Sequence, residues 1–242
     1  MPATVNQIAT STVDGTLSRL LRVLWPPHCL ACGERGHGGR DLCLSCTDAL
    51  PWNHVACPCC ALPLPAPAWA CGRCLRLPSP LDAIHAAFVY ARPLDRLLPR
   101  FKFHGDLAAG RLLVQLMADT CASLARPDAV IPVPLHRARL RHRGYDQALE
   151  LARPLARALN LPLQGDALQR LRPTAPQSEL SALARRRNVR DAFVVRDAIG
   201  LPAHVVLVDD VMTTGATLHA AAKALRRAGV QRVDAWVCAR VP

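Results

Sequence analysis

Residues 205–217 read Val-Val-Leu-Val-Asp-Asp-Val-Met-Thr-Thr-Gly-Ala-Thr, and the order of residue types in this stretch decides the fold. Val205 to Val208 are four β-prone apolar residues, the signature of a short buried strand. Asp209 and Asp210 stand at its C-terminal end. Thr213, Thr214, Gly215, Ala216 and Thr217 lead on into an apolar run, Leu218 to Leu225, that reads as a helix. A strand that ends in carboxylates and turns through small residues into a helix suits a phosphorylated sugar. Free N–H groups and the positive end of the helix dipole hold the phosphate. The Thr hydroxyls add donors, and Gly215 lets the backbone come close. Paired carboxylates suit ribose hydroxyls or a hydrated Mg²⁺. Open α/β sheets also bind ligands beyond the carboxyl ends of their strands. A capped helix after a buried strand would account for a lone Asp-Asp or Thr-Gly. A solvated turn has no need of adjacent acids followed by Thr-Thr-Gly-Ala-Thr.

Outward from this stretch, strands and helices alternate. Strands are expected at Ala83–Tyr90, Ala129–Val133, Phe193–Val195, Val205–Val208 and Val233–Cys238. Helices are expected at Leu107–Ala125, Gln147–Leu159 and Thr217–Ala228. That order predicts an α/β fold, a mostly parallel sheet with helices on both faces. Pro63, Pro65, Pro67, Pro78 and Pro80 punctuate the chain just before this patterning begins near Leu81.

The cysteines mark a separate region. Nine of the eleven lie within residues 29–74, in four C-x-x-C pairs: Cys29/Cys32, Cys43/Cys46, Cys57/Cys60 and Cys71/Cys74. Each pair starts fourteen residues after the one before. A C-x-x-C knuckle aims two thiolates at one metal, and two knuckles complete a tetrahedral Cys₄ zinc site. Eight ligands imply two structural zincs. Even spacing favours sequential ribbons, with cross-braced pairing as the alternative, and Cys59 is an extra neighbour that could compete. A disulfide framework would need an oxidising compartment, and no export signal is visible. A redox C-x-x-C normally occurs once. His28 and His37 read as surface residues, and Cys121 and Cys238 as buried free thiols.

At 51% hydrophobic and 4% aromatic, the 242-residue chain fills its core with Leu, Ala and Val. No apolar run approaches a membrane span, so a soluble cytoplasmic protein is the expectation. Leu17, Leu20, Leu21 and Leu24 fall at helical spacing with Arg19 and Arg22 opposite. This is an amphipathic helix docked on the body, or, on a thin basic face, one lying on a membrane surface. The expected domains are 1–27 for this helix, 28–80 for the zinc ribbons and 81–242 for the α/β part.

The net charge of +12 is concentrated: residues 126–190 hold thirteen Arg against five acids. Such focusing points to a polyanion, either pyrophosphate, a nucleotide or nucleic acid. Within it, His136-Arg-Ala-Arg-Leu-Arg-His-Arg-Gly144 follows the Ala129–Leu135 strand and its two prolines. Four Arg at alternate positions ending in a Gly suggest a mobile basic loop able to fold over a pyrophosphate. Arg185, Arg186, Arg187 and Arg190 form a second basic cluster.

The 205–217 string resembles the phosphoribosyl pyrophosphate (PRPP) motif of type I phosphoribosyltransferases. Leu98-Pro-Arg-Phe-Lys-Phe-His-Gly105, Pro132-Val-Pro-Leu-His136, Arg143-Gly-Tyr-Asp-Gln147, Pro176-Gln177 and Arg187-Asn188 extend the likeness across almost the whole chain. Together they resemble the ComF family of competence-associated proteins, which join a cysteine-rich zinc segment to such a domain. The resemblance implies that Asp209 and Asp210 contact ribose hydroxyls and that Thr213, Thr214, Gly215, Ala216 and Thr217 hold the 5′-phosphate. On this reading Pro132, Val133 and Pro134 with Arg139 and Arg143 hold the diphosphate, and Mg²⁺ accompanies PRPP. Lys102, one of only two lysines, is a candidate diphosphate contact. Asp146 departs from the family's usual Asn, which puts an amide-donor role there in doubt. The implied partners are single-stranded DNA, gripped by Arg185, Arg186, Arg187 and Arg190, and the competence or DNA-uptake machinery. Two functions are expected. One is phosphoribosyl transfer from PRPP. The other is a non-catalytic, PRPP-responsive single-stranded DNA-binding module, with Trp25, Trp52 and Trp69 as its candidate stacking residues.

Overall fold

A computed structural model describes residues 26–171, 192–197 and 200–242. The expected helix of residues 1–27 falls almost wholly outside these, as do Trp25 and the cluster Arg185, Arg186, Arg187 and Arg190. The chain forms two compact units, 1–49 and 50–242. In the first, two cysteine knuckles are joined by tight turns, and Cys43 caps the short helix α1 (Leu44–Asp48) by accepting from the Cys46 N–H.

The second unit is built on a four-stranded parallel sheet. Its strands are β1 (Ile84–Val89), β2 (Ala129–Pro132), β5 (His204–Met212) and β6 (Arg232–Arg240), in the order β1-β6-β5-β2. Val205 to Val208 are fully buried, as a central strand covered on both faces requires. Val205 and Leu207 face α7 (Ala216–Arg227), packing with Leu218, Ala221, Ala222 and Leu225. On the other face lie α4 (Leu107–Cys121), against β1 and β6, and α6 (Gln147–Ala158), against β2 and β5. A small antiparallel pair, β3 (Leu168–Arg170) with β4 (Phe193–Val195), stands apart from the sheet. The knuckle helix α2 (Gly72–Arg76) precedes β1.

Three expectations are corrected and one helix is added. The strand at 205–208 continues to Met212, so Asp209 and Asp210 lie within it rather than after it. β6 keeps pairing with β5 as far as Met212↔Arg240, whereas β2 stops at Pro132↔Val208. The basic segment expected as a mobile loop is a helix, α5 (Arg137–Arg143). His136 caps its start by accepting from the Ala138 N–H, and left-handed Gly144 closes it. The helix from Leu107 ends at Cys121. A helix that the pattern did not suggest, α3 (Leu94–His104), crosses Pro99 and buries Leu94, Leu97, Leu98 and Phe101.

Candidate functional site

Where β2 ends and β5 runs on, the sheet opens into a cavity of about 720 Å³. Thr213, Gly215, Ala216 and Thr217 form one wall, Val133 and Pro134 a second, and Lys102, Arg139, Arg143 and Arg170 approach from above. Of the expected site residues, Pro132 and Thr214 do not line it. The small-residue turn is tightly made. Gly215 has φ +74°, a conformation that favours glycine, and a Cβ there would stand 2.5 Å from Met212 Cε, the movable end of a flexible side chain. Gly215 is also the N-cap of α7, the Ala216 N–H donates to Thr214 Oγ1 at 3.4 Å, and the start of α7 lines the cavity, where the positive end of the helix dipole favours an anion.

Period-two alternation sends Asp209 and Asp210 to opposite faces of β5. Both still reach the cavity because β2 no longer covers the strand at that point. Asp210 is buried and pairs with Lys102 at 2.6 Å. Asp209 accepts from the Asp210 N–H at 2.9 Å. Burial first, then the Asp210 charge, hold the Asp209 carboxyl above the usual carboxylate range.

Lys102 reaches Asp210 because the C-terminal end of α3 is clamped. The Tyr145 hydroxyl donates to the Phe101 carbonyl, and Gln147 Nε2 donates to the Lys102 carbonyl at 3.4 Å. Arg143 in turn donates to Gln147 Oε1 at 3.0 Å. Asp146 accepts from three backbone amides: Ala148 and Leu149 at the start of α6, and Leu135 at 2.9 Å in the proline turn. Its work is all acceptance, so an Asp replaces an Asn here without losing any bond the structure uses.

Arg139 and Arg143 are one turn apart on α5, which puts both on the cavity, while Arg137 and Arg141 point elsewhere. Sequence reasoning missed Arg170. It sits on β3, only 5% exposed, with its guanidinium 5.4 Å from the Phe193 ring centroid. Burial and then the nearby Arg139 charge push it down to about 10, against the pull of Asp209. Burial and Arg143 likewise lower Arg139. Cations this close repel, and an anion between them removes the repulsion.

The cysteines group sequentially: Cys29, Cys32, Cys43 and Cys46 in one cluster, Cys57, Cys60, Cys71 and Cys74 in the other. In each, all four sulfurs lie within 4.8 Å of one another. The cross-braced alternative is thereby set aside, and Cys59 belongs to neither cluster. The donors fit Zn²⁺. Four sulfurs converge on one point, and backbone N–H groups favour thiolate, as where the Cys71 N–H donates to Cys57 Sγ at 3.2 Å. Burial opposes ionisation, yet such donors bring Cys29 down to about 6 and Cys71 to about 7. His28 and His37 are exposed, and Cys121 and Cys238 are buried. Trp52 packs on Phe88 at 4.7 Å, whereas Trp69 is 95% exposed. No helix among the described residues is long and apolar enough to cross a membrane.

Fold and cysteine clusters define a class: a double zinc ribbon joined to a type I phosphoribosyltransferase domain. The double zinc ribbon domain family matches residues 20–75, and the phosphoribosyl transferase domain family matches residues 146–242. The DNA utilization protein YhgH of Salmonella typhimurium is 38% identical over 206 residues, 82% of this chain and 90% of its own length. Competence protein F of Haemophilus influenzae is 35% identical over 221 residues, 88% of this chain and 96% of its own. The chain belongs to the ComF/YhgH family. An orotate phosphoribosyltransferase from Aeropyrum pernix aligns at 24% identity over 56% of this chain and 61% of its own, with a TM-score of 0.35.

Proposed function

We propose that the chain binds PRPP with Mg²⁺ in the 720 Å³ cavity and transfers its phosphoribosyl group. One observation carries the reading. The start of a helix, two carboxylates and three guanidiniums converge there on a single space of sugar-diphosphate size. The first-turn N–H groups of α7, with Thr213 and Thr217, take the 5′-phosphate. Asp209 and Asp210 accept from the ribose hydroxyls, and with the metal they offset diphosphate charge. Arg139, Arg143 and Arg170 hold the diphosphate with the Val133–Pro134 backbone, while Lys102 exchanges between Asp210 and the ligand. Pyrophosphate leaves as an oxocarbenium-like C1 forms, which an acceptor nitrogen attacks. Catalysis is then electrostatic stabilisation of the leaving group, without a covalent protein intermediate. Mg²⁺, when bound, supplies Lewis-acid charge at the diphosphate. Two zincs hold the ribbons in a structural role. Relatives named for DNA utilization and for competence support a use of this chemistry in the handling of DNA.

Calorimetric titration with Mg²⁺–PRPP tests the binding, and pyrophosphate release screened against bases and DNA tests the transfer. Asp209→Asn with Asp210→Asn should abolish binding, since charge-assisted bonds are worth about 1.5–3 kcal/mol each. Unchanged affinity in a folded double variant would defeat the reading. Binding without pyrophosphate release under any acceptor would instead establish a PRPP-responsive binding module. Neutralising Arg185, Arg186 and Arg187 should lower single-strand affinity and reduce the salt slope by about two. If neither changes, those arginines are a solvated face.

A further inference from the structure

The second cysteine cluster does more than hold its own ribbon. Arg73 lies inside the fourth knuckle, Cys71-Gly-Arg-Cys74, and its Nη2 donates to the Thr214 carbonyl at 3.3 Å. Arg240, at the end of β6 and only 4% exposed, bridges two carbonyls. Its Nε donates to Cys60 at 2.9 Å and its Nη1 to Met212 at 3.3 Å. The carbonyls on either side of Thr213 are therefore both held by guanidiniums tied to metal knuckles. The apolar packing repeats the connection. Cys57, Cys60 and Cys71 belong to the same buried cluster as Met212 and Leu218. Met212 is also the residue whose Cε closes against Gly215. Ser79, between α2 and β1, approaches His219 of α7 with Oγ and Nε2 at 3.5 Å.

From these contacts we infer that the second Cys₄ cluster sets the conformation of the phosphate loop, with Arg240 and Arg73 as the positioning residues. Metal occupancy of Cys57, Cys60, Cys71 and Cys74 thereby controls sugar-phosphate affinity. The identity of the ligand rests on the proposed function; the mechanical link between cluster and loop does not. Coordination of Cys71 and Cys74 fixes the turn that carries Arg73, and coordination of Cys60 fixes the carbonyl that anchors Arg240. Without metal, four thiols crowded within 4.8 Å repack, and both anchors move. By linkage the effect is reciprocal, so a ligand on the loop must also be sensed at the metal.

The test uses the full chain and two readouts. The first is amide hydrogen exchange over residues 212–218, which needs no ligand. Cys74→Ser, at the least buried ligand of the second cluster, should raise exchange there, and Cys46→Ser in the first cluster should leave it unchanged. Arg240→Met and Arg73→Gln should each raise it with both metals retained. The second readout is optical. With Co²⁺ replacing zinc, ribose 5-phosphate or Mg²⁺–PRPP should shift the thiolate–cobalt bands of wild type and of Cys46→Ser, but not those of Arg240→Met. Arg240→Met should also weaken ribose 5-phosphate binding about tenfold, the equivalent of one buried hydrogen bond. Arg240→Lys, which keeps charge but not the two-carbonyl bridge, should fall between. Equal responses of the loop to Cys46→Ser and Cys74→Ser, or no response to either, would overturn the inference. If exchange responds as expected and wild type binds neither phosphate, the link stands and the ligand reading fails.

Discussion

Asp209→Asn is expected to stabilise the fold while weakening the ligand, a combination that an ordinary surface acid does not give. The carboxyl is held above its usual range by burial and by Asp210. Its folded form therefore retains a proton over a pH range in which the unfolded chain has lost it. For an acid with a raised pKa, this destabilises the folded state. The cost is absent below about pH 4, where both states are protonated. It grows by about 1.4 kcal/mol for each pH unit above that until the folded pKa is reached, and then stays constant. Asn removes the titration yet keeps an oxygen to accept from the Asp210 N–H, the 2.9 Å bond now made by Asp209 Oδ1. Between pH 4 and pH 6 the variant should thus gain about 2–3 kcal/mol on wild type. For a chain of this length that is about 4–12 °C in melting temperature. Asp210→Asn should instead lose stability, because it strips the charge partner from Lys102 at 2.6 Å, and it should weaken the ligand as well. Melts of the three proteins at half-unit pH steps provide the measurement. A flat difference between Asp209→Asn and wild type across this range would show that Asp209 titrates as an ordinary carboxylate. The account of a charge-stressed site would then be wrong.

Three further outcomes are expected. Native mass spectrometry should find two zincs per chain and one in Cys74→Ser; no zinc, with all eight ligand thiols freely reactive, would remove the ribbon reading. Gly215→Ala should cost about 1–2 kcal/mol for the left-handed backbone, with Met212 Cε shifting aside. Sugar-phosphate affinity should fall with it, and a variant with unchanged melting and binding would show that the turn is not as built. Asp146→Ala should lose about 1–2 kcal/mol as an N-cap, and Asp146→Asn should lose part of this, because Oδ1 serves Ala148 and Leu149 while Oδ2 serves Leu135 and an amide keeps only one oxygen; wild-type melting of the Asn variant would show that the Leu135 bond contributes nothing.

Features carried by contiguous residues were legible in the sequence. The 205–217 string encodes strand, acids, turn and helix in order, and four evenly spaced knuckles encode two clusters. Features decided by distant packing were not. The helix α3 has its buried residues at 94, 97, 98 and 101, a helical spacing, but Pro93 and Pro99 masked it. Without that helix, the position of Lys102 against Asp210 had no basis. The alternate arginines of 137–143 fit an extended face as well as a helix, and only capping by His136 and Gly144 decides between them. The last residues of β5 pair with β6 alone, so no local pattern marks its full length. Arg170 stands on a three-residue strand and is buried by Phe193, which follows it by 23 positions. The contact between Arg73 and Thr214 spans 141 residues, and no local pattern announces it.

The charges around the cavity argue for the kind of ligand that completes it. Asp146, Asp209 and Asp210 are close enough that each of the first two is raised in part by another acid. On the other side Arg143 helps burial to lower Arg139, and Arg139 helps burial to lower Arg170. Lys102 relieves the acids in part through Asp210, and Asp209 relieves Arg170 in part. A simple anion would satisfy the arginines but compete with the acids for Lys102. A simple cation would satisfy the acids and worsen the guanidinium repulsion. A ligand bearing a divalent cation together with phosphoryl groups relieves both sets at once, and its binding should deprotonate Asp209. The number of protons released on binding, read from the dependence of calorimetric enthalpy on buffer, therefore separates such a ligand from a bare phosphate. Mg²⁺–PRPP should release close to one proton near neutral pH, and sulfate, a stand-in for bare phosphate that does not titrate there, should release none.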